Sequence, residues 1–191
     1  MSTFAADFFT SQYNMNHLEE FTISLSGSKE GTSEYSFELH KSFFQHFNDD
    51  EIIDSDIDVK MILRKSINVY EMEFSLSGDA TVACDRCLEP MIQPISYETK
   101  LIVKHGVKYE EIDDLVVTIG PNDDQINIAS FVFEYAKLAL PMQRTHAEGD
   151  CDTAMLEQME RYERQAEDDE DDEKTTDSRW DALAGLKDKL E

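Results

Sequence analysis

The sequence predicts an α+β fold: a mostly antiparallel sheet or partly closed β-barrel in the N-terminal two-thirds, with helices packed on it from the C-terminal third. Two observations predict it. Apolar and polar residues alternate with period 2 through most of residues 20–103, the pattern of half-buried strands. Strand follows strand without regular helical crossovers, which disfavours a parallel sheet, and the period lengthens to a helical one only after Gln125. The 191 residues suffice for one domain with a core and a tail.

Phe21, Ile23 and Leu25 share one face of the first expected strand, and Tyr35, Phe37 and Leu39 repeat the pattern. Lys41 to Phe47 predicts a short helix with Phe43, Phe44 and Phe47 on one side. Ile57, Val59, Met61 and Leu63 alternate next, then Tyr70, Met72, Phe74 and Leu76. Gly78-Asp79 reads as a tight turn into Ala80, Val82 and Cys84, a hairpin that delivers Cys84 at its end. Ile95, Tyr97, Thr99, Leu101 and Val103 form a further strand, and Leu115 to Ile119 a short one closed by Gly120-Pro121.

Ile126 to Leu140 is apolar nearly all round and predicts a buried helix, capped by Asn127 and stopped by Pro141. A second helix is expected from about Thr153, with Asp152 or Thr153 as cap and Met155, Leu156, Met159 and Tyr162 on its apolar face. Seven consecutive acidic residues, Glu167 to Glu173, repel one another and predict a disordered linker. Ser178-Arg179-Trp180-Asp181 then fits a capping box, and Trp180, Leu183, Leu186 and Leu190 make an amphipathic stripe. That helix docks on its own domain or binds a partner groove. The expected organisation is a lead over 1–16, an α+β domain over 17–163, an acidic linker over 164–177 and a C-terminal helix over 178–191.

Charge narrows the function classes. Forty-two acidic residues against 17 basic ones give a formal net charge of −25. Such a surface repels phosphate, so non-specific nucleic-acid binding is disfavoured and basic partners are favoured. Lys100, Lys104 and Lys108 are the nearest approach to a positive stripe, with Arg64 and Lys65 beside them; they are the candidate RNA-contacting patch. Ordinary exposed strand residues are the plainer reading of that stripe. The start, Met1-Ser2-Thr3-Phe4-Ala5-Ala6-Asp7, lacks the charged and apolar parts of a secretory signal, and no apolar run is long enough for a membrane helix. A soluble cytoplasmic protein with reduced thiols is expected.

Two of the three cysteines form a C-x-x-C pair, Cys84 and Cys87. The third, Cys151, follows His146 in a polar loop. A C-x-x-C turn places two thiolates close enough to share one tetrahedral ion, and Cys84, Cys87, His146 and Cys151 would make a closed Cys3His site, an ordinary structural zinc arrangement. Two reduced cysteines on a packed turn, or a redox pair, are the competing readings. A thioredoxin-like role expects the pair at a helix N-terminus in a βαβ setting, whereas here a strand precedes it and Pro90 follows. The sequence has no Gly-rich phosphate loop and no G-x-S-x-G elbow, and Asp113-Asp114 and Asp123-Asp124 read as solvated loop residues.

The run Cys84-Asp85-Arg86-Cys87-Leu88-Glu89-Pro90 resembles the signature of the YceD family of large ribosomal RNA subunit accumulation proteins, and the N-terminal half is similar to that family's Bacteroidetes-like version. Ile126 to Leu140 with Pro141 resembles that family's helix ending in Leu-Ala-Leu-Pro. Asp177-Ser178-Arg179-Trp180-Asp181-Ala182-Leu183 resembles its closing segment, with Ser178 in place of proline. His146 and Cys151 fall where many members carry further His or Cys residues. The resemblance implies a non-enzymatic role in synthesis, processing or stability of 23S rRNA, and hence in large-subunit assembly. Its partners would be large-subunit rRNA or a pre-ribosomal particle. The charge suggests an alternative: an acidic module that holds or delivers a basic ribosomal protein. A zinc or redox enzyme is the third reading, and it would need an open metal position or an activated thiol.

Overall fold

A computed structural model describes residues 18–25, 31–67 and 69–172, with side chains described as far as Tyr162. The lead over 1–16 and the segment 178–191, with Trp180, Leu183, Leu186 and Leu190, lie outside the described residues. The described residues up to His146 form one compact unit and those from Ala147 a second.

The first unit holds eight strands among its described residues: β1 (Thr22–Ser24), β2 (Gly31–His40), β3 (Ile52–Lys65), β4 (Val69–Ala83), β5 (Pro90–His105), β6 (Glu110–Asp113), β7 (Val116–Ile119) and β8 (Gln125–Asn127). Helix α1 (Lys41–His46) follows β2, and α2 (Ala129–Leu138) follows β8. Six strands make one open sheet in the order β2-β3-β4-β5-β7-β6, and β1 pairs with β8 separately. Every pairing is antiparallel except β5 with β7. The sheet is therefore not closed into a barrel.

Period 2 dictates which face is core. Ile57, Val59, Met61 and Leu63 of β3, Met72, Phe74 and Leu76 of β4, and Leu101 and Val103 of β5 are all buried. Helix α2 supplies Phe131, Val132, Tyr135 and Ala136 to the same core. Its Tyr135 ring lies 5.3 Å from Phe74 and 6.2 Å from Tyr97. Phe43 and Phe44 of α1 are buried, and Phe43 reaches Phe47 at 5.4 Å, so this helix presents its phenylalanines as the spacing requires.

Three local expectations are corrected. Gly78-Asp79 is no turn: β4 runs unbroken past it, with Gly78 opposite Ile57 and Asp79 opposite Asp56. Gly78 has φ +150°, and a Cβ there would stand 2.2 Å from the Asp56 carbonyl oxygen. Glycine is needed for that close approach of two strands. The real turn between β4 and β5 is the Cys84–Glu89 segment. Second, Ile126 and Asn127 belong to β8, because they pair with Ile23 and Thr22. The helix starts at Ala129, where Asn127 Oδ1 accepts the Ala129 N–H at 2.9 Å. Third, in the second unit, helix α3 (Thr153–Asp172) continues past 163 into the acidic run. Asp152 Oδ2 accepts the Met155 N–H at 3.1 Å, the expected cap. No Gly or Pro interrupts 153–172, and Glu, Gln, Arg, Met and Ala favour helix enough to offset local repulsion. The part of the 164–177 linker up to Asp172 is thus helical, and the rest lies outside the described residues.

Candidate metal centre

The C-x-x-C pair sits in the connection between the two longest strands, β4 and β5. The Cys84 N–H donates to the Glu89 carbonyl at 2.9 Å, and the Leu88 N–H donates to the Cys84 carbonyl at 2.9 Å. Leu88 takes φ 63°, a left-handed conformation that costs a non-glycine residue about 1 kcal/mol. The hydrogen-bonded turn holds it there, and both sulfurs belong to one cluster of ligand atoms. Cys84 and Cys87 are 0% and 2% exposed.

The segment after α2 meets this turn. The Asp85 N–H donates to the Arg144 carbonyl at 2.7 Å, and the Arg144 N–H donates to Asp85 Oδ2 at 2.6 Å. This reciprocal pair fixes the backbone two residues before His146, whose Nδ1 lies 3.3 Å from Cys87 Sγ. Arg144 also forms ion pairs with Asp85 and Glu51, and Lys137 of α2 with Glu51 and Asp49. Five charged residues thus tie the cysteine turn, the β3 approach, α2 and the His146 segment together. The sequence reading missed this network. Its one visible signal was Asp85, a carboxylate between the two cysteines.

Cys151 is 5% exposed, and the ligand atoms of Cys84, Cys87, His146 and Cys151 lie within 4.8 Å of one another. A zinc tetrahedron with bonds of about 2.3 Å to sulfur and 2.0 Å to nitrogen has edges of roughly 3.5–3.8 Å. The observed spacing needs only small side-chain adjustments to meet it. Four soft or borderline donors, all from the protein, suit zinc; a tetrahedral ion held by all four would have no open position for a substrate.

The electrostatics point the same way. Burial pushes the Cys84 thiol up, but the N–H groups of Cys87, His146 and Arg86 outweigh it and bring the thiol down to about 6. Hydrogen bonding to Cys87 and Cys84 holds His146 above its ordinary value. Buried N–H donors around a thiolate are what a metal–thiolate bond needs. The same burial removes the exposure that a reactive cysteine requires. Metal displaces protons from both groups, so affinity should fall as pH drops through the raised His146 value and more steeply below about 6. Competition against a chromophoric chelator between pH 5 and 8 should show this; affinity flat across that range would contradict it. Replacing Arg144 by alanine should loosen His146, weaken metal binding about tenfold and leave the sheet folded. The same competition assay, beside circular dichroism, measures both effects.

Of the candidate RNA-contacting residues, Lys100 and Lys104 lie on the outer face of β5, and Lys108 lies in the loop before β6. Lys100 and Lys104 of β5 are both exposed, but Lys100 stands opposite Glu73, which also pairs with Arg64. Lys108 is 4.0 Å from Glu110. Lys65 donates to the Leu25 carbonyl at 2.9 Å. The cations are therefore interleaved with carboxylates. Among the described residues, no helix is long and apolar enough to cross a membrane.

No curated protein and no solved structure matches the chain. A family model described as large ribosomal RNA subunit accumulation protein YceD matches residues 72–187. That span covers more than half of the sequence and begins within β4, so β1 to β3 lie outside it. It contains the whole Cys84 turn, α2, His146 and Cys151. With the Cys-Asp-Arg-Cys-Leu-Glu-Pro run at its centre, the chain belongs to the YceD family of large ribosomal RNA subunit accumulation proteins.

Proposed function

We propose that this protein is a non-catalytic factor in ribosome biogenesis. It supports the synthesis, processing or stability of 23S rRNA, and through it assembly of the large subunit in the cytoplasm. Family membership carries this reading. One structural zinc, held by Cys84, Cys87, His146 and Cys151, clips the β4–β5 turn to the segment after α2. A closed donor set and buried thiols favour a scaffold over an active site. Deleting the gene should lower 23S rRNA relative to 16S rRNA and reduce large subunits in sucrose gradients. Unchanged rRNA ratios and subunit profiles would overturn the proposal.

The charge favours a second reading that is compatible with the first. A chain of net charge −25 suits a basic ribosomal protein better than bare RNA. Lys100, Lys104 and Lys108 could position a few phosphates, but neighbouring carboxylates weaken their field. The stripe of Trp180, Leu183, Leu186 and Leu190 is assigned to the same partner. Pull-downs at low and high salt, with and without RNase, separate the readings. A ribosomal protein retained after RNase and lost at high salt supports delivery. Recovery of rRNA alone argues against it.

A further inference from the structure

We infer that the free edge of β2 accepts an extended, basic polypeptide segment as an added strand. The two edges of the six-stranded sheet differ. Strand β6 spans four residues, and its register with β7 is broken between Glu111 and Asp113. Short length and a bulge are the usual protections of an edge. Strand β2 has neither: its ten residues pair with β3 in continuous register from Gly31 to His40. Among the described residues no strand pairs with its other side. It contains no proline, so its outer hydrogen-bonding groups form an unbroken template.

Its side chains specify the occupant. On the inward face Tyr35 and Phe37 are only half-buried, although Met61 and Val59, their partners on β3, are fully buried. Phe37 has Phe21 stacked at 4.9 Å, yet part of its surface remains uncovered. On the outward face Glu34 and Glu38 are exposed, and Glu38 stands directly opposite Asp58. Like charges opposite one another across two strands repel. His40 lies 3.4 Å from Glu38, and Lys60 is opposite Ser36, so the carboxylates are only partly balanced. An added strand places its residues on the same faces as those they oppose. The fitting sequence therefore alternates basic residues, beside Glu34 and Glu38, with apolar ones beside Tyr35 and Phe37. A second copy of this chain does not fit, because it would bring two sets of these glutamates and two charges of −25 together.

The inference rests on the second reading above and gives that reading a surface and a conformation for its partner. The test uses the full chain and a short synthetic peptide alternating lysine with valine, beside one alternating glutamate with valine. The lysine peptide should bind in a salt-dependent way and slow amide exchange over Gly31–His40. The double variant Glu34→Lys, Glu38→Lys should weaken it about tenfold or more without changing the fold. Tight lysine-peptide binding that the variant leaves unchanged, or that leaves β2 exchange unaltered, overturns the β2 assignment but not the acidic-module reading. Equal binding of the glutamate peptide, or self-association through β2, also overturns the assignment. Failure of the lysine peptide to bind anywhere overturns both.

Discussion

Replacing Cys84 by serine should abolish metal binding and lower the melting temperature by about 10 °C. That corresponds to roughly 3 kcal/mol for a chain of this size. Serine is a poor zinc ligand, and it leaves a hydroxyl where N–H donors from Cys87, His146 and Arg86 surround a sulfur. The loss should not unfold the chain, because the sheet and α2 have an apolar core independent of the cysteines. Small zinc domains behave differently, since for them metal binding and folding are one event. A chelator should reproduce the effect in the wild type and add nothing to the variant. An equal drop in the variant with and without zinc, beside a chelator-insensitive wild type, would show that the residue serves packing alone.

Gly78→Val should cost more than any surface substitution in the sheet, about 3–5 kcal/mol. Two effects add. The φ of +150° is one that side chains rarely adopt, and the new Cβ would meet Asp56 O at 2.2 Å and Ile57 Cα at 2.8 Å. Both obstacles are backbone, so no rotamer change relieves them. Gly149 is the internal control. It has φ +93°, but nothing lies within 4 Å of a Cβ built there. Gly149→Val should therefore cost only the backbone strain, about 1–2 kcal/mol. Urea denaturation of the two variants measures the difference. Equal midpoints would mean that the approach of β3 to β4 at Gly78 contributes nothing.

The long strands were legible because each keeps one face dry. Val59, Met61 and Leu63, or Met72, Phe74 and Leu76, announce their face by alternation alone. Gly78 misled because Gly-Asp is a common turn pair. The correct sign was phase: Met72, Phe74, Leu76, Ala80, Val82 and Cys84 all fall on even positions, which a two-residue hairpin turn would not keep on one continuous strand. Strands β6 and β8 escaped for another reason. Glu110–Asp113 is exposed throughout, and Gln125–Asn127 has one buried residue, so neither carries a period. Their strand form depends on partners distant in sequence. The parallel pairing of β5 with β7 is equally invisible, since alternation reveals a face and not a neighbour.

Residue type and spacing single out the candidate metal ligands, and their ligand atoms lie within 4.8 Å of one another. What holds them was not legible in the sequence. Arg144 and Glu51 are 93 residues apart and Asp85 and Arg144 are 59 apart, so nothing local links them. In a chain with 42 acidic residues, three useful carboxylates are hidden among many solvated ones.

Metal content of the full-length protein, purified without chelator beside Cys84→Ser, tests the structural-zinc account most directly. Elemental analysis should find about one zinc per chain in the wild type and none in the variant. A wild-type protein that is folded, monodisperse and metal-free, and that takes up no added zinc, would contradict it.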